Sequence, residues 1–283
     1  MTSPASPLQL PFGPSTLSWR IGHEPIALLL GGPRAVLLQV AHPLVAAGVE
    51  QHSDYRRDPF SRGYRTLDWL FKVQFGDPGT VQHHAAALAA VHRRVKGVSP
   101  DGVAYRADDP ELLLWVWATL VDSAVLVYDR FVRPLDGPAR QRFYAEQKLV
   151  ARATGLEPHQ CPDTWEAFEA YVAAMIEDEL RVTDTTRQVA TGASPFFRAP
   201  LSNLLRPVDG FLFAALLPER LRRELNLPWG TGKAAALDAA AALSRRASRV
   251  VPRRLRHAPA SYLTGRPEPL RWRPPAILLR RTG

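Results

Sequence analysis

Apolar residues recur at helical spacing along most of this chain, and period-two alternation is nearly absent. The longest such stretch follows Asp108-Asp109-Pro110, where Leu113, Trp117, Leu120, Ala124 and Tyr128 stand three or four residues apart. Its acidic start complements a helix dipole, and proline suits a first helical turn. Similar reasoning predicts short helices near Pro25–Leu30 and Pro33–Val40 and another from Pro43. Asp58-Pro59 opens a helix bearing Arg62, Thr66, Trp69 and Val73, which Gly76-Asp77-Pro78 ends. The next helix is capped near Thr80 and runs to Gly97. Further helices follow Asp136-Gly137-Pro138 and Asp163-Thr164-Trp165, residues 179–205 read as loop-rich, and helices return over 209–217, 218–224 and 233–249. The expected fold class is therefore all-α: an N-terminal arm over 1–22, one helical domain over 23–250 and a basic tail over 251–283.

Composition narrows the class. The chain has 283 residues, 46% hydrophobic and 22% charged, which is the balance of a globular protein. A lone cysteine, Cys161, excludes an internal disulfide and any multi-cysteine zinc site. The N-terminus lacks a basic segment followed by an apolar core, so no secretory signal is expected and the expected compartment is the cytoplasm. The apolar runs Ile26–Leu30 and Leu112–Leu120 are too short to span a bilayer. The net charge of +9 is concentrated toward the C-terminus. It fits a solvated face and leaves room for peripheral membrane contact, while no RNA-binding sheet motif or helix-turn-helix pattern supports nucleic acid as a partner.

Candidate chemistry gathers between Gly31 and Gly97. His84, Leu88 and His92 share a helical stripe with Val91 and Val95 beside them. His84 and His92 are roughly 12 Å apart along an axis, too far to chelate one metal together. The adjacent His83 and His84 face different ways, and no His-Glu-x-x-His motif occurs. On the preceding helix Arg62, Thr66 and Trp69 follow i, i+4, i+7 spacing, and Arg65 shares a face with Trp69. His52-Ser53-Asp54 does not form a triad, because adjacent residues do not converge as nucleophile, base and orienter. Gly31-Gly32 lacks the strand-to-helix setting of a phosphate loop.

Three ordered segments carry a resemblance: Gly31-Gly32-Pro33-Arg34 through His42-Pro43, Val49-Glu50-Gln51-His52-Ser53-Asp54-Tyr55, and Arg62-x-x-Arg65-Thr66. Val91-His92-Arg93-Arg94-Val95-Lys96-Gly97 and Asp109-Pro110 through Asp122-Ser123 continue it, and it fades after about residue 225. Together they resemble the bacterial and fungal oxygenase family that includes the latex-clearing rubber oxygenases and the mycophenolic-acid-pathway prenyl-chain oxygenase. The resemblance implies a globin-like multi-helix bundle around haem b, with dioxygen and an apolar substrate of prenyl or polyketide type. The electron donor stays open.

By the same resemblance His92 matches the proximal iron ligand, and Arg62-x-x-Arg65-Thr66 matches the distal Arg-x-x-Lys-Thr segment. Trp69 and Trp117 become cofactor walls, Arg62 a propionate partner, and Arg65, Thr66 and Glu50 the catalytic candidates. Two departures stand out. Arg65 replaces a lysine that can itself ligate iron, and a permanently protonated guanidinium has no lone pair to offer. Trp117 stands where many relatives carry histidine. Alternatives are a haem-dependent dehydrogenase, cyclase or peroxidase-like oxidase, and a non-enzymatic binder of apolar ligands.

Overall fold

A computed structural model describes residues 10, 12–53, 59–192, 211–212 and 214–263. Its organising element is the helix predicted from Asp109-Pro110, here α6. In chain order the helices are α1 (Leu17–Gly22), α2 (Gly32–Ala41), α3 (Pro43–His52), α4 (Pro59–Phe75) and α5 (Pro78–His92). They continue as α6 (Pro110–Phe131), α7 (Gly137–Thr154), α8 (Trp165–Ala174), α9 (Asp184–Gly192), α10 (Glu219–Glu224), α11 (Thr231–Val250) and α12 (Arg253–Leu263). Two π-helical turns, Ala27–Gly31 and Met175–Glu179, interrupt the regular winding. The all-α expectation stands.

Asp109 caps α6 by accepting from the Glu111 backbone N–H at 2.9 Å. One side of α6 builds an aromatic core in which Trp117 meets Tyr144 of α7 and Phe168 of α8 at ring-centroid distances of 5.8 Å each. Another side lies on α2, where the Trp115 indole donates to the Leu38 carbonyl at 3.2 Å. The buried Arg34 of α2 meets Asp122 at 2.6 Å, Ser123 Oγ at 2.7 Å and the Leu216 carbonyl at 2.8 Å. A third side receives Leu237 and Ala241 of α11, packed with Val127, Phe131, Ala27 and Leu30. Burying a charge this deeply requires such full pairing.

Several boundaries differ from the sequence reading, each for a local reason. The helix after Asp77 ends at His92, not Gly97, because the chain turns into an antiparallel hairpin, β1 (Lys96–Val98) with β2 (Ala104–Arg106). Gly97 makes room for a side-chain contact there: a Cβ would sit 2.4 Å from Gln51 Oε1 and 2.8 Å from the Tyr105 hydroxyl and would push those groups aside. Within the stretch read as loop-rich, α9 forms behind a reciprocal cap, in which Thr183 and Thr186 each accept the other's backbone N–H at 3.2 and 3.1 Å. The usual Glu or Gln is missing from that cap, so the sequence hides it. Residues 193–205 lie outside the described residues. Within the arm assigned to 1–22, α1 places Ile21 in the aromatic core.

α6 is also longer than the run Leu112–Leu120 implied. Among the described residues it is the helix that by itself has the length and apolarity to cross a membrane, with mean hydropathy 1.5. Its most apolar stretch is 61% buried inside the bundle, the position of a core helix.

Candidate active site

α4 and α5 form a helical hairpin closed by Gly76 and Asp77. A Cβ at Gly76 would lie 2.3 Å from the Lys72 carbonyl oxygen, so the turn needs glycine. Asp77 is the N-cap of α5, accepting from the Thr80 N–H at 2.9 Å and from its hydroxyl at 2.6 Å. Those bonds hold the Asp77 carboxyl below its usual pKa. Thr80, the expected capping position, thus acts together with Asp77. Higher up, the half-buried Trp69 indole donates to the His84 carbonyl at 3.0 Å. That contact fixes a register. Seven residues further along each helix, two turns in all, Arg62 of α4 stands level with Val91, beside His92 of α5. The side chains of Arg62 and Arg65 lie outside the described residues; Thr66 is exposed.

His92 is the last residue of α5 and is half-buried. Burial pushes its imidazole below the ordinary pKa, against the opposing pull of the Asp108 carboxylate. Asp108 is itself gripped by the Arg106 guanidinium at 3.0 and 2.9 Å. The β-hairpin braces this end of α5 against α3: Tyr105 donates its hydroxyl to Gln51 at 2.8 Å, and Gln51 donates to the Val98 carbonyl at 2.9 Å. Yet α5 itself is poorly covered. Val81 is its one fully buried residue, and Val91, adjacent to His92, is 55% exposed.

A separate, half-open cleft with a cavity volume of about 90 Å³ lies on the other side of α4, between α1, the Ala27–Gly31 turn, α6 and α7. Ile21, Leu70, Phe71, Phe75, Leu120 and Phe143 make it apolar, and Ser18, Gln74 and Gln147 are its polar side chains. Gln147 already donates to Ser18 Oγ at 2.8 Å, which leaves Gln74 as the amide presented by α4. Glycines shape the floor. A Cβ at Gly22 would strike the Phe75 ring at 2.8 Å, whereas one at Gly32 meets nothing within 4 Å and would project into open space. The π-helical turn beside them is a deformation that recurs at functional sites.

The remaining sequence candidates are dispersed. Trp117 is buried in the aromatic core, its indole donating to the Gln147 carbonyl at 3.2 Å, so it backs the cleft wall without lining it. Trp69 packs beside Phe71, Val73 and Phe75 on the hairpin. Glu50 is exposed on α3, where it accepts from the Thr185 hydroxyl at 3.3 Å. Neither His92 nor Glu50 lines the cleft. Thr66 stands one turn before Leu70 and two before Gln74 on the same helical stripe, which links the hairpin's upper end to the cleft. The sequence reading does not find this cleft; the Thr66, Leu70, Gln74 spacing is the signal that could have pointed to it, whereas Ser18 and Gln147 carry none, because they meet only through the tertiary fold.

Among the described residues no three His, Cys, Asp or Glu side chains converge on a metal position. Haem asks for less: one imidazole donor and an apolar face. His92 offers an imidazole that burial favours in its neutral, ligating form, and α5 leaves apolar surface next to it uncovered. The residues fit the group at His92, and the cleft supplies no ligand of its own.

Comparison with known proteins gives one family. The family described as "ER-bound oxygenase mpaB/B'/Rubber oxygenase, catalytic domain" matches residues 19–246. Two uncharacterized proteins, from Mycobacterium bovis and Mycobacterium tuberculosis, are each 24% identical over 225 residues, covering 77% of this chain and 88% of the relative. No solved structure matches the chain.

Proposed function

Since the chain belongs to this family of oxygenase catalytic domains, we propose that it is a haem b-dependent oxygenase that acts with dioxygen on an apolar substrate held in the cleft. The observation that carries the reading is the register of the α4–α5 hairpin. It sets a half-buried histidine whose protonation burial opposes level with the Arg62-x-x-Arg65-Thr66 segment. In this reading the hairpin is the globin-like half of a haem pocket, with His92 as the protein's iron ligand and Arg62 and Trp69 among the residues that hold the macrocycle.

Haem, when bound, supplies the iron centre at which dioxygen is activated. The chain's own residues do the rest. Arg65 is a permanent cation and hydrogen-bond donor with no lone pair for iron, so it would serve the site by favouring an anionic group beside it. Thr66 offers a hydroxyl on the stripe that leads into the cleft. Leu70, Phe71, Phe75 and Phe143 exclude water from that space, and Gln74 orients a polar end of the substrate. Trp117 supports the cleft from behind through Gln147. Glu50, exposed beside Thr185, is given no proton-transfer role.

The test is turnover of the haem-loaded protein with prenylated and long-chain alkene probes under isotopically labelled dioxygen. Label in the product supports oxygenation. Conversion without label would point to a dehydrogenase or oxidase, and ligand binding without conversion to a carrier.

A further inference from the structure

The C-terminal helices carry a surface that the site does not use. α11 turns Leu237 and Ala241 into the bundle, while Leu243 and Val250, two turns apart on its outer side, are 70% and 81% exposed. The exposed Ala236, Ala239, Ala240 and Ala247 join them into one apolar stripe. Beyond Pro252 the surface continues with Val251 at 39% and Leu255 at 59% exposure. Scattered apolar residues on a surface are ordinary, but a run of large ones along one helix and into the next is a binding feature.

The charges around it are mainly positive, and the one carboxylate at the head of the stripe, Asp238, is paired with Arg130 at 2.8 Å. Residues 239–263 contain six arginines and no aspartate or glutamate. Two of the six serve the fold: Arg245 donates to the Arg130 carbonyl, and Arg256 grips the buried Glu24 carboxylate at 2.5 and 2.6 Å. His257 adds a third contact to Glu24 at 3.1 Å. This clamp holds α12 by its inner side and keeps Leu255 outward. The other four, Arg246, Arg249, Arg253 and Arg254, are exposed.

We propose that the outer face of α11 and the start of α12 docks on an anionic lipid surface. Exposed leucine and valine flanked by arginines is the composition of a helix that lies in the membrane interface, its apolar side among the acyl chains and its cations among lipid phosphates. Charge decides against a second copy of this chain as the occupant, because a symmetric pairing would bring the four arginines of each copy together. Nucleic acid would use the arginines but leave the apolar stripe in water. The inner face of α11 packs on α6 and shares a buried cluster with Ala27, which lines the cleft.

Flotation of the full-length protein with phosphatidylcholine vesicles, with and without phosphatidylglycerol, tests this. Binding is expected only with the anionic lipid. It should weaken about twenty-five-fold or more in Arg246→Glu/Arg249→Glu, since each of the two basic residues near such a surface is worth about a fivefold change in affinity. A comparable loss is expected in Leu243→Gln/Val250→Gln, and little change in Arg142→Glu/Arg152→Glu, an equal charge change at exposed positions of α7. All six positions are solvent-facing or half-exposed, and unchanged thermal unfolding will show that the variants fold. Absence of flotation, or equal loss in the α7 control, overturns the proposal. So does a concentration-dependent dimer abolished by Leu243→Gln, or duplex DNA binding that needs the arginines but not the apolar pair.

Discussion

α5 and α6 both read in the sequence as apolar helices, yet they end in opposite situations. α6 buries twelve of its twenty-two residues, and aromatic rings from α7 and α8 close around it. α5 buries one of its fifteen. Apolar sequence alone therefore does not mark core. The α6 region spends its hydrophobic surface on stability, whereas the α4–α5 hairpin keeps surface in reserve beside a neutral-leaning histidine. In the proposed reading a flat cofactor covers what the protein leaves open.

Mutations separate the two regions most sharply. Phe168, fully buried among Trp117, Tyr144 and Trp165, should lose about 3–5 kcal/mol of stability on change to alanine. Leu88→Ala on half-buried α5 should cost about 1 kcal/mol or less. Chemical denaturation measures both, and equal costs would erase the contrast.

Ligand should narrow the gap. At a hundredfold excess of haem over its dissociation constant, the stability of the protein should rise by about 2.7 kcal/mol. Slowed amide exchange is expected in α4 and α5 but not in α6. His92→Ala should remove both effects while leaving the apo-protein's stability close to wild type.

Within the cleft, Gly22→Ala should cost about 1–3 kcal/mol, because its Cβ presses on the packed Phe75 ring. Gly32→Leu should leave thermal unfolding unchanged and raise KM for apolar substrates, since its side chain enters open space. A neutral KM would show that substrate lies elsewhere.

The smallest expected effect is with pH. Burial lowers the pKa values of His42 and His92 in the folded protein below the 6.5 of the free side chain. As pH falls through 6.5 the unfolded chain takes up protons before the folded one does, so stability is full above that value and declines below it. His42→Gln/His92→Gln should flatten the decline, as denaturation curves across that window will show.

Much of this was legible in the sequence, and unequally. Helices flagged by Asp-Pro or Asp-Gly-Pro punctuation, such as α4, α6 and α7, appear where the pattern sets them. The β-hairpin escaped because its three-residue strands are held by Tyr105 and Gln51, residues far apart in sequence. α9 escaped because threonines replace the familiar capping residues. Trp117 carried no label distinguishing pocket wall from core, and its ring faces Tyr144 and Phe168. Short motifs report local conformation well; which face of a helix meets which neighbour is a tertiary fact.

The most direct measurement is a spectrophotometric titration of the purified full-length protein with haem b, alongside His92→Ala. The account predicts a sharp Soret band saturating at one equivalent in the wild type and no such band in the variant. A wild type that takes up no haem, or a variant that binds it equally well with the same spectrum, would contradict it.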